Sequence, residues 1–378
     1  MNYIPRLITP HIEDAARYFP VIVVTGPRQV GKSTLCRHVF QDYSVYNLED
    51  AALRMSVRED PKEFLNGCGD HVIIDEVQHV PELLSYIQVI VDEYRDRRFV
   101  LTGSSNFALL ESISQSLAGR SAVFTLMPFS LKELGEYKQS RTDDILIGGF
   151  YPAVRANGMP YEMFYSNYYT LYVERDVRQI KEILNLPAFE KFMRLLAGRT
   201  GSELNALSLS NEIGVSSPTI KKWFGLLQTS YITYPLYPYY ANIGKRLSKL
   251  PKIYFYDTGL LCYLLDIATP EQLAVHPLRG AVFENMVISE MLKDRYNSAK
   301  RPNLSFYREN AGREVDVLQE DGQHLSLTEI KSASTFNKDF TRNIKYLQDL
   351  LGDKVTDSRI IYDGDFIPPN VFNFRRVF

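Results

Sequence analysis

The chain has 378 residues, 45% hydrophobic and 23% charged, the balance of a globular protein with room for two or three domains. A net charge of −2 excludes a bulk basic footprint, so contact with nucleic acid has to come from a local surface. Cys36, Cys68 and Cys262 fit neither zinc spacing nor a disulfide framework, the opening MNYIPRLITP lacks a signal-peptide pattern, and no apolar run nears the roughly 20 residues of a membrane helix; a cytoplasmic location and no membrane contact are expected.

Five short strands are expected first: residues 21–25 (VIVVT), 43–48, 72–75 (VIID), 99–103 (FVLTG) and 123–126. Amphipathic stretches such as 82–94 separate them, and this alternation of apolar strands with helices argues for a parallel sheet covered on both faces. Ser130 with Glu133 makes a capping box at the next helix start. Residues 131–183 read as helical, broken at Gly148-Gly149-Phe150-Tyr151-Pro152. Residues 207–227 read as helix–turn–helix: the first helix ends near Gly214 and the second begins at Pro218, a favoured first helical position. Strands at 232–240 and 252–256 follow like a wing. A helix at 281–293 then precedes three strands, 304–308, 314–318 and 325–331, as a further α/β unit.

Gly26-Pro27-Arg28-Gln29-Val30-Gly31-Lys32-Ser33-Thr34 matches the phosphate-binding pattern G-x-x-x-x-G-K-[ST], placed after an apolar strand and before a helix at 34–40. Its glycines let backbone amides curl around phosphate, and the helix N-terminus adds a positive dipole end. Lys32 is expected on the β- and γ-phosphates and Ser33 on Mg²⁺. Asp75 and Glu76 end the apolar run VIID, where Asp75 would hold Mg²⁺ and Glu76 would polarise the attacking water. Ser104, in Thr102-Gly103-Ser104-Ser105-Asn106, stands where a polar group could orient that water; the alternative is an ordinary helix cap by Ser105. ATP and Mg²⁺ are the expected ligands.

GPRQVGKST, VIIDEVQ, VLTGSSN, SLAGR and PFSLKEL, in this order, resemble the prokaryotic AAA+ family of ATPases. GGFYP, YVERDV, REVDVL and EIK extend the resemblance over essentially the whole chain, although GGFYP carries one Tyr more than the usual pattern. The resemblance implies a homo-oligomer, a hexamer among the options, with ATP sites at subunit boundaries. Arg120 in SLAGR stands where that family places an arginine finger, with Arg175 and Arg178 as alternatives.

Thr219, Lys221 and Lys222 open the second helix of the helix–turn–helix, and Lys245, Arg246, Lys249 and Lys252 follow in the wing, interleaved with Tyr239 and Tyr240. Such hydroxyl and basic groups suit phosphate and base-edge contacts, so DNA is an expected partner; a lid on the ATPase domain or a protein-binding module is the rival reading. In the last module Glu329 and Lys331 share a strand face, Asp316 can lie beside them from the neighbouring strand, and Glu284 can join from the preceding helix. Carboxylates so placed bind Mg²⁺, and a lysine can orient water for phosphodiester hydrolysis. The set resembles the restriction-endonuclease-like fold with its acid, acid-x-lysine signature, and an ordinary salt bridge or an inactive relative of that fold is the alternative. His276 and His324 are isolated and are not expected to be ligands.

The expected architecture is α/β: a P-loop AAA+ parallel-sheet core at 1–130, a helical lid at 131–200, a winged helix at 201–275 and a restriction-endonuclease-like module at 276–378. The expected function is an ATP-hydrolysing AAA+ ATPase acting in DNA processing, with a nuclease-like C-terminal module. An ATP-dependent, oligomerising signalling or defence switch with a protein partner is the alternative.

Overall fold

The structure is a computed structural model that describes residues 3–104, 113, 115–173, 185–240, 249–309, 312–366 and 368–378. Five strands, β1 (Val21–Thr25), β2 (Ser44–Asn47), β3 (His71–Asp75), β4 (Arg98–Thr102) and β5 (Ser121–Thr125), form a wholly parallel sheet in the order β2-β3-β4-β1-β5. Side chains alternate across it. Ile22, Val24, Ile73, Val100 and Phe124 enter one core, while Val21, Val23, Val72, Ile74, Phe99 and Leu101 enter the other. Helices α1 (Thr9–Ala16) and α2 (Lys32–Val39) lie on the first face; α3 (Ala51–Glu59), α4 (Pro61–Gly67) and α5 (Leu83–Glu93) lie on the second. β5 begins two residues before the apolar run because it is an edge strand, with Val123 exposed and little burial to mark its ends.

The capping box forms as the sequence suggests: Ser130 caps α6 (Leu131–Leu134) and Glu133 returns to the Ser130 amide. Helices α7 (Thr142–Gly148) and α8 (Tyr161–Tyr168) flank the Gly-Gly-Phe-Tyr-Pro break. After α9 (Leu186–Ala197), the helix–turn–helix consists of α10 (Ala206–Ile213), ended by a left-handed Gly214, and α11 (Ser217–Thr229), capped by Ser216. β6 (Thr233–Leu236) pairs antiparallel with β7 (Lys252–Phe255). β6 is shorter than the tyrosine-rich run because residues 237–239 leave it and bond to Phe306.

After α12 (Thr258–Leu264), α13 (Arg279–Asn297) is longer than its apolar pattern suggests and is buried on nearly all sides. It precedes a second sheet: β8 (Leu304–Arg308), β9 (Glu314–Asp321), β10 (His324–Lys331), β11 (Val355–Tyr362) and β12 (Val371–Asn373), in the order β12-β11-β10-β9-β8. β8, β9 and β10 are antiparallel neighbours, and β11 returns parallel to β10 through α14 (Arg342–Leu351). One hydrophobic core runs from Ile8 and Val24 through the middle helices to Phe283, Ile361 and Phe374. Among the described residues, no helix is long and apolar enough to cross a membrane.

Candidate functional site

The register of the first sheet places its chemistry along one edge. Val24 pairs with Thr102 and Ile74 with Leu101, so β1, β3 and β4 end level with one another. The loop 26–31 leaves β1 where the strand order changes direction, the position at which open parallel sheets bind ligands. Gly26 is obligatory there: its φ is +138°, and a Cβ would stand 2.0 Å from the Leu126 carbonyl oxygen. Gly31 is left-handed and caps α2. The Lys32 ammonium is buried and turns back over the loop, donating to the carbonyls of Gly26 (3.2 Å) and Pro27 (2.8 Å). Burial pulls it down from the ordinary lysine range, more than Glu76 and Asp75 hold it up. A buried cation held by backbone carbonyls, beside the N-terminus of a helix, is an anion site by its chemistry.

A cavity of about 590 Å³ opens from the loop and is lined by residues 29–34, Glu76, Tyr3, Ile4 and Arg6, and on its far wall by Met159, Met163 and Phe164 of the helical region. Asp75 is buried at the end of β3, and Thr102 of β4 donates its hydroxyl to Asp75 Oδ1. Glu76 adopts a left-handed backbone (φ 56°, ψ 47°), a conformation that costs a non-glycine residue about 1–2 kcal/mol. Its amide donates to Thr102 Oγ1 (3.3 Å), and its carboxylate meets Gln78 and Ser104. The structure thus brings the loop, Lys32, Ser33, Asp75, Glu76 and Ser104 to one edge. Ser105, Asn106, Arg175 and Arg178 lie outside the described residues. Arg120 sits at the opposite end of the sheet, just before β5, in a two-pronged ion pair with Asp92 (2.6 and 2.8 Å).

Local sequence patterns give no sign of the support behind the loop. Arg6 is buried and donates to Glu133 (3.0 Å), to the Val30 carbonyl (3.0 Å) and to the Met127 carbonyl (2.5 Å), tying the phosphate loop to the exit from β5. The next residues reach the C-terminal module. Leu131 N donates to Glu290 Oε2 (2.7 Å), and Lys293 donates to the Phe129 carbonyl (2.9 Å) and to Glu290 (2.7 Å). Lys293 also stands 3.6 Å over the ring of Phe150, and Phe150 N donates to Asp257 (2.7 Å). Gly149 is left-handed, and a Cβ there would overlap Tyr165 and Asp257, so the Gly-Gly-Phe-Tyr-Pro segment is a buried junction.

On α11, Lys221 and Lys222 are exposed, while Thr219 bonds to the capping Ser216 (2.8 Å). Lys245 and Arg246 lie outside the described residues. In the second sheet the pairing of Thr328 with Val317 brings Asp316 beside Glu329, and Ile330 N donates to Asp316 (2.7 Å). Lys331 Nζ is 2.7 Å from Glu329 and 4.0 Å from Asp316. Lys252 of β7, expected in a basic surface patch, is instead buried and enters this cluster because carboxylates face it, bonding Glu314 and lying 3.6 Å from Glu284; Tyr254 donates to Glu284. Burial, with Asp316 nearby, pushes Glu284 up to about 7 and Glu329 up to about 8. Glu284, Asp316, Glu329 and Lys331 therefore converge as their spacing suggests, but two lysines occupy the carboxylates. Among the described residues no three His, Cys, Asp or Glu side chains stand in an arrangement that could hold a metal ion.

Comparison with known proteins divides the chain in three. The family described as "AAA domain" matches residues 18–135, and two domains of unknown function, DUF8612 and DUF4143, match residues 139–271 and 279–374. A Mycobacterium tuberculosis protein, uncharacterized protein Rv2008c, is 31% identical over 324 residues, covering 84% of this chain and 71% of its own length, and its Mycobacterium bovis counterpart Mb2031c matches equally. A Haemophilus influenzae protein is 22% identical over 385 residues, covering 92% of this chain and 90% of its own. Among solved structures, the Walker-type ATPase PABY2304 of Pyrococcus abyssi superposes with a TM-score of 0.46 at 13% identity, over 68% of this chain and 94% of that one. The chain belongs to the same family as these mycobacterial proteins, with an AAA-type P-loop ATPase domain at residues 18–135.

Proposed function

We propose that the protein hydrolyses ATP and uses the cycle to act on DNA. The observation that carries the ATPase reading is the single sheet edge where the phosphate loop, Lys32, Asp75 and Glu76 meet beside a cavity of nucleotide size. The triphosphate lies along residues 26–34, and the base has an apolar wall in Ile4, Met159, Met163 and Phe164. Mg²⁺ fits the donors present, a buried carboxylate on Asp75 and the Ser33 hydroxyl in the first turn of α2, and when bound supplies charge neutralisation at the phosphate oxygens. Lys32 exchanges its carbonyl partners for phosphate oxygens, and Glu76 takes the proton of the attacking water. Arg120, at the far end of the sheet from its own loop, would serve a neighbouring subunit of a homo-oligomer once released from Asp92.

The DNA reading is supported by the exposed Lys221 and Lys222 on the second helix of a helix–turn–helix joined to a two-stranded wing. A helix followed by three antiparallel strands, a helix and a parallel strand supports a nuclease-like lineage for the last module. Among the described residues its carboxylates do not stand in an arrangement that fits a metal, Lys252 and Lys331 lying against them, and no cutting step can be derived from this arrangement.

The test is ATP turnover with Mg²⁺, alone and with single-stranded, duplex and branched DNA, for the native chain and Lys32→Ala. Turnover that one DNA form stimulates, and that Lys32→Ala lacks, supports the reading. Turnover indifferent to every DNA in low salt overturns the DNA part in favour of a nucleotide-driven switch with a protein partner. The buried bonds from the ATPase exit to α13 are the observation that favours that second reading.

A further inference from the structure

Gln78 stands two residues beyond Glu76, in the single 3₁₀ turn Val77–His79 that comes after β3. Its side-chain Nε2 donates to Glu76 Oε2 and lies 3.1 Å from Ser104 Oγ. Ser104 Oγ in turn lies 3.4 Å from the same Glu76 oxygen. Both donors therefore fall on Oε2, and among the described residues no hydrogen bond falls on Oε1 of the carboxylate, whose residue lines the nucleotide cavity. The other half of the Gln78 amide is unused: Oε1 is buried and has no hydrogen-bond partner among the described residues.

That asymmetry is informative. A side chain kept for packing would do better without an unpaired buried carbonyl, because leaving such a group unsatisfied destabilises the fold. Turning the amide over would set oxygen against carboxylate oxygen, so the contact with Glu76 fixes its orientation. The left-handed backbone of Glu76 points the same way, toward a local geometry held for a carboxylate and not for stability.

We propose that Gln78 is a positioning residue for ATP hydrolysis: it anchors one oxygen of the Glu76 carboxylate so that the other faces the attacking water. The proposal rests on the reading of Glu76 as the base. The role is separate from that of Ser104, which touches the same oxygen at longer range from the end of a different strand.

The experiment compares the native chain with Gln78→Leu, which removes both amide functions, and Gln78→Glu, which keeps size and an acceptor but loses the donor. Steady-state turnover of Mg²⁺·ATP, the Kd of a non-hydrolysable ATP analogue and the thermal midpoint are measured for each. A drop in kcat of about 10²-fold is expected for both variants, the cost of a misplaced reacting group. The analogue Kd should stay within about threefold of native, and the Gln78→Leu midpoint should stay equal or rise, since an unpaired polar group has been removed. Unchanged kcat in Gln78→Leu, or a loss of kcat that tracks lost analogue affinity or lost stability in both variants, would overturn the proposal and leave the ATPase reading in place. Absence of turnover in the native chain would instead overturn the ATPase reading itself.

Discussion

Lysines stand at the centre of both charged clusters, in opposite situations. Among the described residues Lys32 has no carboxylate in hydrogen-bond contact; it leans on two backbone carbonyls at the mouth of an open cavity, and burial weakens its hold on its proton. Lys252 and Lys331 are closed on Glu314 and Glu329, with Glu284 and Asp316 adjoining. In the first arrangement the lysine touches no carboxylate, so it gains from an anion brought from outside. In the second each lysine already has carboxylates within 4.0 Å and gains little from a further anion. Residue types alone do not separate the two cases, since each is a lysine near two acids; what separates them is how far each carboxylate reaches.

Four measurements press on this contrast. The largest effect is expected from Gly26→Ala, whose methyl group would collide with the Leu126 carbonyl: nucleotide-analogue binding should vanish, with a loss of more than about 3 kcal/mol in denaturant unfolding. Next is Glu290→Leu, which strands Lys293 in a wholly buried place and should cost about 3–5 kcal/mol; the double variant Glu290→Leu/Lys293→Met should cost less than the single one. The contrast itself is tested by two lysine removals. Lys32→Ala should abolish turnover while leaving the nucleotide-free thermal midpoint equal or higher, whereas Lys252→Ala should lower that midpoint and cost on the order of 2–3 kcal/mol in unfolding free energy, less than a wholly buried pair because Glu314 is partly exposed. Equal stability effects would erase the distinction. The smallest effect is on pH dependence. Folding raises Glu284 to about 7 and Glu329 to about 8 from 4.5, so between those limits the folded state holds more protons than the unfolded one, and stability falls as pH rises. The midpoint of the native chain should decline more steeply from about pH 5 to 8.5 than that of Glu329→Gln; parallel curves would mean that Glu329 stays ionised.

What could be read from the sequence was local. The phosphate loop, the acidic end of β3, the capping box at Ser130, the two helices around Gly214 and the hairpin that sets Asp316 beside Glu329 each declare themselves within about 20 residues. β11 and β12 carry no pattern of their own: they return after a crossover and owe their place to β10. Arg6, Asp257, Glu290 and Lys293 were silent for a related reason: each acts on a backbone group or side chain more than 100 residues away, so nothing beside it in the chain announces the role. Gln78 was visible as the last letter of VIIDEVQ, but only the structure gives the oxygen it touches.

The buried bonds between residues 129–131 and α13 bear on how such chains can be recombined. The joint between the ATPase domain and the helical region is not a neutral seam, because Phe129 and Leu131 end their backbone bonds on Lys293 and Glu290, and Phe150 lies beneath the same ammonium. A last module grafted from a relative would import its own residues at 290 and 293 and would leave a charge or an amide stranded unless they matched. Lineages of this architecture should therefore inherit the two ends together, and an engineered chimaera with its crossover near residue 135 should fold only when both α13 residues travel with the ATPase half.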